Sequence, residues 1–206
     1  MSRFTEGLQA RVKTKIEELE SKTSVEFVPV IVERSNSYFL FRLTCCALTA
    51  LAAQSLIHAF GGISESHLLN TTLSLAVGLL AFPFFSMPPV FRFLAPKRLR
   101  QIEVEEGAQL AFLREQVFQT QARTGVLIYI SELEHEVFVL ADHGLLKVMS
   151  PEEWSQIGSQ LAQELAHSTA ETLVFTSLDL VAQRLAEHFP ARSNNENEIS
   201  NELREK

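Results

Sequence analysis

The chain has 206 residues, with 18 Lys and Arg against 25 Asp and Glu, a net charge of −7 and 46% hydrophobic side chains. This acidic balance argues against nucleic acid as a partner, because a grip on phosphates needs a basic face. The two cysteines, Cys45 and Cys46, are adjacent and provide no disulfide framework. They read as small apolar residues facing lipid or a neighbouring helix, with lipidation or a vicinal disulfide as the functional alternatives.

Met1 to Lys15 is charged and amphipathic, without the apolar run of a secretory signal. Phe4, Leu8, Val12, Ile16 and Leu19 fall on one helical face. Ser24 to Val32, SVEFVPVIV, reads as a strand apolar on both faces, and Pro29 is expected to leave one side of it unpaired there. From Phe39 to Phe60 the only charge is Arg42, and from His67 to Val90 there is none after His67. Gly61 to Ser66 separates the two runs. Each run approaches the ~20 residues that a helix needs to cross ~30 Å of hydrocarbon. Together they read as a transmembrane hairpin inserted into a soluble domain.

Arg34 and Arg42 lie at the start of the first run, and Arg92, Lys97, Arg98 and Arg100 follow the second; the connecting turn has no Lys or Arg. The positive-inside rule then puts both termini on the cytoplasmic side of a cell inner membrane. Arg42 is expected to snorkel to the headgroups, with a functional intramembrane charge as the alternative. Pro83 is expected to kink the second span and Pro88-Pro89 to end it. Gly61, Gly62, Ala47, Ala50 and Ala53 offer small residues for a homo-oligomer formed through the hairpin, or simply face lipid.

A long helix is expected from about Lys97 to Arg123, with Leu99, Ile102, Leu110, Leu113 and Val117 on its inward stripe and Glu106 interrupting it. Gly125 opens a buried strand, VLIYI, that ends near Ser131. Glu132 to Glu136 turns the chain, Val137 to Ala141 forms the next strand, and Asp142-His143-Gly144 ends it. Ser150-Pro151 starts a helix, with Glu152 and Glu153 near its positive end and Trp154, Ile157, Leu161 and Leu165 on its apolar face. Ser168 or Thr169 starts the last helix, which turns Val174, Leu178, Val181, Leu185 and Phe189 inward and ends at Pro190. Ser193 to Lys206 is polar and rich in Asn and Glu, and reads as disordered or transiently helical.

Strand, long helix, strand is a βαβ unit, parallel and right-handed. The following strand, after a short turn, pairs antiparallel. The fold class is therefore α/β: a small mixed sheet with flanking helices, interrupted by the two-helix hairpin. Residues 1–37 and 97–190 form the divided domain, 38–96 the hairpin and 191–206 a disordered tail.

This topology gathers Thr23, Ser24, Glu26, Arg123, Thr124, Asp142 and His143 at the end of the sheet away from the membrane. Carboxylates with hydroxyls suit a hard cation such as calcium, and Arg123 with Ser and Thr suits phosphate. Strand caps and ordinary turn chemistry account for the same residues. Glu132, Glu134, His135 and Glu136 read as a solvated turn screened by Lys97, Arg98 and Arg100, with a metal or pH-sensing site as the alternative. His58 and His67 flank the outer turn, at the interface or as metal ligands. The chain contains no phosphate-binding Gly loop, HExxH, CxxC or GxSxG.

TSVEFVPVIV, TGVLIYIS, EVFVLADHG, the Trp-bearing helix and LAEHFP, in this order and spacing, resemble the TPM domain family. That family includes a thylakoid-lumen acid phosphatase, a photosystem II repair factor and a nematode receptor modulator. The nearest resemblance is to a bacterial subgroup split by a two-span hairpin after its first strand. The resemblance implies a TPM-like sandwich and two possible functions. One is a membrane-anchored interaction module that assists assembly, maintenance or regulation of membrane proteins, with a LemA-type helical membrane protein as a plausible partner. The other is a weak metal-dependent phosphatase. Calcium-binding members carry an acidic motif before the first helix, where this chain has only Glu6, which puts calcium in doubt.

Overall fold

The computed structural model describes residues 6–61, 63–165, 169–191 and 197–205. It divides into two compact units, Met1–Asn36 with Arg100–Lys206, and Ser37–Leu99. Phe4, Gly62, Ser168 and residues 192–196 lie outside the described residues, as does the side chain of Leu165.

The elements run α1 (Glu6–Glu20), β1 (Glu26–Val32), α2 (Phe39–Ala59), α3 (His67–Leu80), α4 (Phe82–Ser86), α5 (Pro88–Leu94), α6 (Lys97–Arg114), β2 (Gly125–Ser131), β3 (Glu136–Ala141), α7 (His143–Leu146), α8 (Pro151–Leu165), α9 (Ala170–Ala186) and β4 (Arg204–Glu205). In the divided unit they build a four-stranded mixed sheet ordered β3-β2-β1-β4. β1 pairs parallel with β2 along its whole length, Phe27 opposite Val126 and Ile31 opposite Ile130. β3 returns antiparallel to β2. Both central strands are buried at every position, as expected of strands covered by helices on both faces.

On one face α1, α8 and α9 enclose the larger core. Val12, Ile16, Phe27, Ile128, Ile157, Leu161, Val174, Leu178, Val181 and Leu185 are its centre. Ser150 and Glu153 form a capping box at the start of α8: Ser150 Oγ accepts from Glu153 N at 3.3 Å, and Glu153 Oε2 accepts from Ser150 N at 2.7 Å. Thr169 caps α9 by accepting from Thr172 N at 3.3 Å.

α6 covers the other face, and here the expected helix face is wrong. Val104, Ala108 and Ala111 are the buried residues of α6, whereas Ile102, Leu110 and Leu113 are 43%, 53% and 60% exposed. The reason is the close approach of helix to sheet. A Cβ on Gly107 would lie 2.5 Å from Tyr129 Oη, so only small residues fit beneath the helix. The helix is also shorter than expected. It ends at Arg114, and Gln116 follows in the left-handed region with φ 55° before a 3-10 turn at Val117–Gln119.

A second correction concerns the C-terminus. Residues 197–205 are not a free tail. β4 pairs parallel with β1 at Val30 and Ile31, Leu203 is 6% exposed within the larger core, and Arg204 Nε lies 3.0 Å from Glu115 Oε2. Ile199 and Leu203 are the only apolar side chains from Ser193 to Lys206, which is why composition alone suggested disorder. Pairing begins at Val30, so Pro29 meets no β4 partner, as its missing N–H requires.

In the other unit, α2 and α3 form an antiparallel pair. A Cβ on Gly78 would meet Cys46 O at 2.7 Å and Ala50 Cβ at 2.8 Å. Ala50 is therefore used within the hairpin. Ser74 Oγ donates to Gln54 Oε1 at 2.6 Å across the same pair. Phe39–Ala59 and His67–Ser86 are long and apolar enough to cross a membrane. The second segment breaks after Leu80. α4 starts there with Pro83 in its first turn, and α5 starts anew at Pro88.

Candidate functional site

The sheet end that receives the start of β1 and β2 does gather the expected residues, and the Thr23 and Thr124 hydroxyls and Asp142 Oδ1 are engaged in holding the backbone together. Thr23 Oγ1 donates to Phe189 O at 2.5 Å, and Thr23 bridges Pro190. Ser24 N donates to the same carbonyl at 3.1 Å. Thr124 Oγ1 donates to Ser24 O at 3.0 Å, and Thr124 N to Thr120 Oγ1 at 3.0 Å. Asp142 is 4% exposed and caps α7, its Oδ1 accepting from His143 N at 2.7 Å. Its Oδ2 lies 3.0 Å from Arg123 Nε in an ion pair that lacks the alignment of a directed hydrogen bond. Arg123 has φ 57°, its Nη1 donates to Phe118 O at 2.8 Å, and its guanidinium lies 5.8 Å from the Phe118 ring centre. The His143 side chain is exposed.

Glu26 belongs to a neighbouring feature that sequence reasoning missed. Glu20 and Glu26 are 8% and 3% exposed beneath the C-terminal segment. Glu20 Oε2 accepts from Asn201 Nδ2 at 2.7 Å and Oε1 from Phe27 N at 3.2 Å. Burial, then the Glu26 charge, pushes the Glu20 carboxyl up to about 8, against hydrogen bonds from Phe27 and Asn201 that lower it. Burial also raises Glu26, opposed by the backbone N–H groups of Glu198 and Ile199. Glu198 in turn accepts from Gln121 N at 2.7 Å. No signal in the sequence pairs Glu20 with Asn201, which lie 181 positions apart. Among the described residues no three His, Cys, Asp or Glu side chains are gathered to hold a metal ion.

The acidic turn at the opposite sheet end is not a solvated run. Glu134 is fully buried. Its Oε1 accepts from Ser35 N at 2.9 Å and its Oε2 from Ser131 Oγ. Arg100 Nη1 donates to its carbonyl at 2.7 Å. Ser35 Oγ, 3.1 Å from Ser131 Oγ and 3.3 Å from Tyr129 Oη, completes the cluster. His135 takes φ 54° at the tip of the turn. Glu134 therefore clamps residues 33–36 onto the sheet, together with the bonds from Glu132 N to Val32 O and Leu133 N to Glu33 O, at 3.1 and 2.9 Å.

An apolar groove of about 590 Å³ runs along β3, lined by Val139, Leu140, Leu146, Met149, Trp154 and Gly158. Trp154 Nε1 is buried there without an acceptor.

No protein-family profile matches the chain, and no curated protein matches it. Among solved structures it is similar to the BA42 protein of the psychrophilic bacterium Bizionia argentinensis, determined by NMR, with 14% identity and a TM-score of 0.60 over 100% of this chain and 97% of that one. At that identity the likeness is one of fold, and it agrees with the mixed α/β sheet and flanking helices described above.

Proposed function

We propose that this chain is a membrane-tethered protein-interaction module of TPM type that assists assembly, maintenance or regulation of membrane proteins. The observation that carries this reading is the outer face of α6. Its core side is made of small residues, and its large apolar residues Ile102, Leu110 and Leu113 face away from the sheet. Burying large side chains is the stronger stabilisation, roughly 1.5–3 kcal/mol each. A helix that leaves them out in favour of alanines suits a second partner on its far side. Glu106 falls within the stripe, so a basic residue on that partner is the favourable match. A LemA-type helical membrane protein remains a candidate.

The two apolar helices support anchorage in a bilayer, and the Lys and Arg flanks support cytoplasmic termini. Single cysteines at Ser64 and Ser193, in a chain lacking Cys45 and Cys46, are expected to label from opposite sides. Labelling of both from outside intact cells overturns that orientation.

A photo-crosslinking residue at Leu113 in native membranes is expected to capture a protein whose yield falls on Glu106→Lys. If the purified chain instead turns over an aryl phosphate with metal, and Asp142→Ala abolishes the activity without unfolding, the phosphatase reading replaces this one.

A further inference from the structure

Arg42 is the fourth residue of α2 and is only 9% exposed, yet its guanidinium makes no side-chain hydrogen bond or ion pair among the described residues. Its Nε is buried without a partner. A buried charge left alone is strongly unfavourable, and a charge in a membrane segment needs a counter-charge or a polar cavity. The first turn of α2 has the same deficit. Its N-cap is Tyr38, at φ 52° and ψ 27°, with no side-chain cap and no acidic residue in the turn. The first intrahelical bond is from Arg42 N to Tyr38 O at 3.0 Å. The N–H groups of Phe39, Leu40 and Phe41 therefore have no acceptor within the helix. Helical side chains lean toward the N-terminus, so Arg42 leans toward this same turn. Phe91, fully buried, packs against Tyr38 at 4.5 Å and Phe41 at 5.9 Å between ring centres and walls the site with aromatic carbon.

We propose that Arg42 and the uncapped first turn of α2 form a binding site for the phosphate of an anionic membrane lipid. The site presupposes that α2 and α3 lie in a bilayer, as proposed above. A phosphodiester brings what both groups lack. Its oxygens accept from the planar guanidinium fork, and its charge is favourable at the positive end of a helix. A 21-residue helix rises about 31 Å, close to the hydrocarbon thickness, so the Arg42 backbone lies about 5 Å inside the boundary and its long side chain, leaning toward the N-terminus, spans the distance to the headgroup phosphates. A net negative headgroup is preferred over a zwitterionic one, whose ammonium competes for the same phosphate. Arg42 is 9% exposed as a whole and its Nε is buried, so most of the side chain is held by the protein and only its end is left for a ligand.

The test uses the full chain, purified in maltoside detergent and delipidated. It is titrated with phosphatidylglycerol, with phosphatidylcholine of the same acyl chains, and with inorganic phosphate. Retained lipid is counted by native mass spectrometry and the unfolding midpoint recorded. Phosphatidylglycerol is expected to be retained at least fivefold over phosphatidylcholine and to raise the midpoint, with inorganic phosphate doing neither. Arg42→Gln is expected to abolish that selectivity and Arg42→Lys to keep part of it. Equal retention of the two lipids, or unchanged selectivity in Arg42→Gln, overturns the site. Equal stabilisation by inorganic phosphate overturns the lipid as its source. If Arg42→Gln does not fold, the three-ligand comparison on the native chain still decides. A chain that stays monodisperse without detergent and is absent from the membrane fraction sinks the membrane reading instead. A membrane-bound chain without lipid preference sinks only the site.

Discussion

The two ends of the sheet each bury glutamate, and they do so in different ways. At the end where β1 leads toward the hairpin, Glu134 is fully buried but held by neighbours close in sequence or structure, Ser131 three residues away and Ser35 on the segment it clamps. At the other end Glu20 has a second carboxylate, Glu26, as its neighbour, and depends on Asn201 from the far C-terminus. The first arrangement needs β1 paired with β2, since Ser35 lies 99 positions from Glu134, but it does not involve the C-terminal segment. The second exists only when the C-terminal segment is docked. One end is therefore a clamp within the sheet, and the other is a strap laid over two buried carboxylates.

The largest effect is expected at the clamp. Glu134→Ala leaves the Ser35 N–H and the Ser131 hydroxyl without their acceptor in a buried site, and is expected to cost about 3 kcal/mol. Urea unfolding of the detergent-solubilised chain, followed by the single tryptophan Trp154, measures it. A loss below that of a surface substitution would mean the clamp is not structural.

Next comes deletion of residues 197–206. It uncovers the outer edge of β1 and removes Leu203 from the core, for an expected loss of about 2 kcal/mol. Amide exchange should rise in β1 before it rises in β2. Unchanged protection of β1 would contradict the strap.

The pH response separates the two ends further. In the unfolded chain Glu20 ionises near 4.5, whereas in the folded chain it holds its proton up to about 8. The folded state thus binds the proton more tightly, so this group's contribution to stability falls as pH rises between those values and levels off above them. Glu20→Gln should flatten that decline, and deletion of the C-terminal segment should reduce it by hydrating the carboxyl. A decline as steep in Glu20→Gln as in the native chain would assign it to another group.

The smallest effect is expected for Arg123→Ala. Its side chain is 51% exposed, which screens the arginine side of the pair, but Asp142 is 4% exposed and loses its counter-charge, so the expected loss is about 1 kcal/mol. A much larger loss would make this ion pair, rather than the C-terminal strap, the main fastening of that end.

Whatever depends on local pattern was legible in the sequence. Apolar spacing marked the buried faces of α1 and α9, the β-branched runs marked β1 and β2, Ser150-Pro151 with its acidic first turn marked the start of α8, and uninterrupted apolar length marked the hairpin. It also determined that Thr23, Ser24, Glu26, Arg123, Thr124, Asp142 and His143 would meet, because parallel pairing of β1 with β2 and antiparallel pairing with β3 leave those residues one end to share. What those residues do there was decided by tertiary structure, since hydrogen-bond partners such as Phe189 and Thr120 lie on other elements. Tertiary structure also decided the facing of α6. Large residues normally point inward, but the approach of Gly107 to Tyr129 leaves room only for alanine and valine. It decided the fate of the C-terminal segment as well. Two apolar side chains among charges do not predict order, but a free edge on β1, a vacancy in the core for Leu203 and two buried carboxylates needing donors together supply enough partners to hold the chain in place.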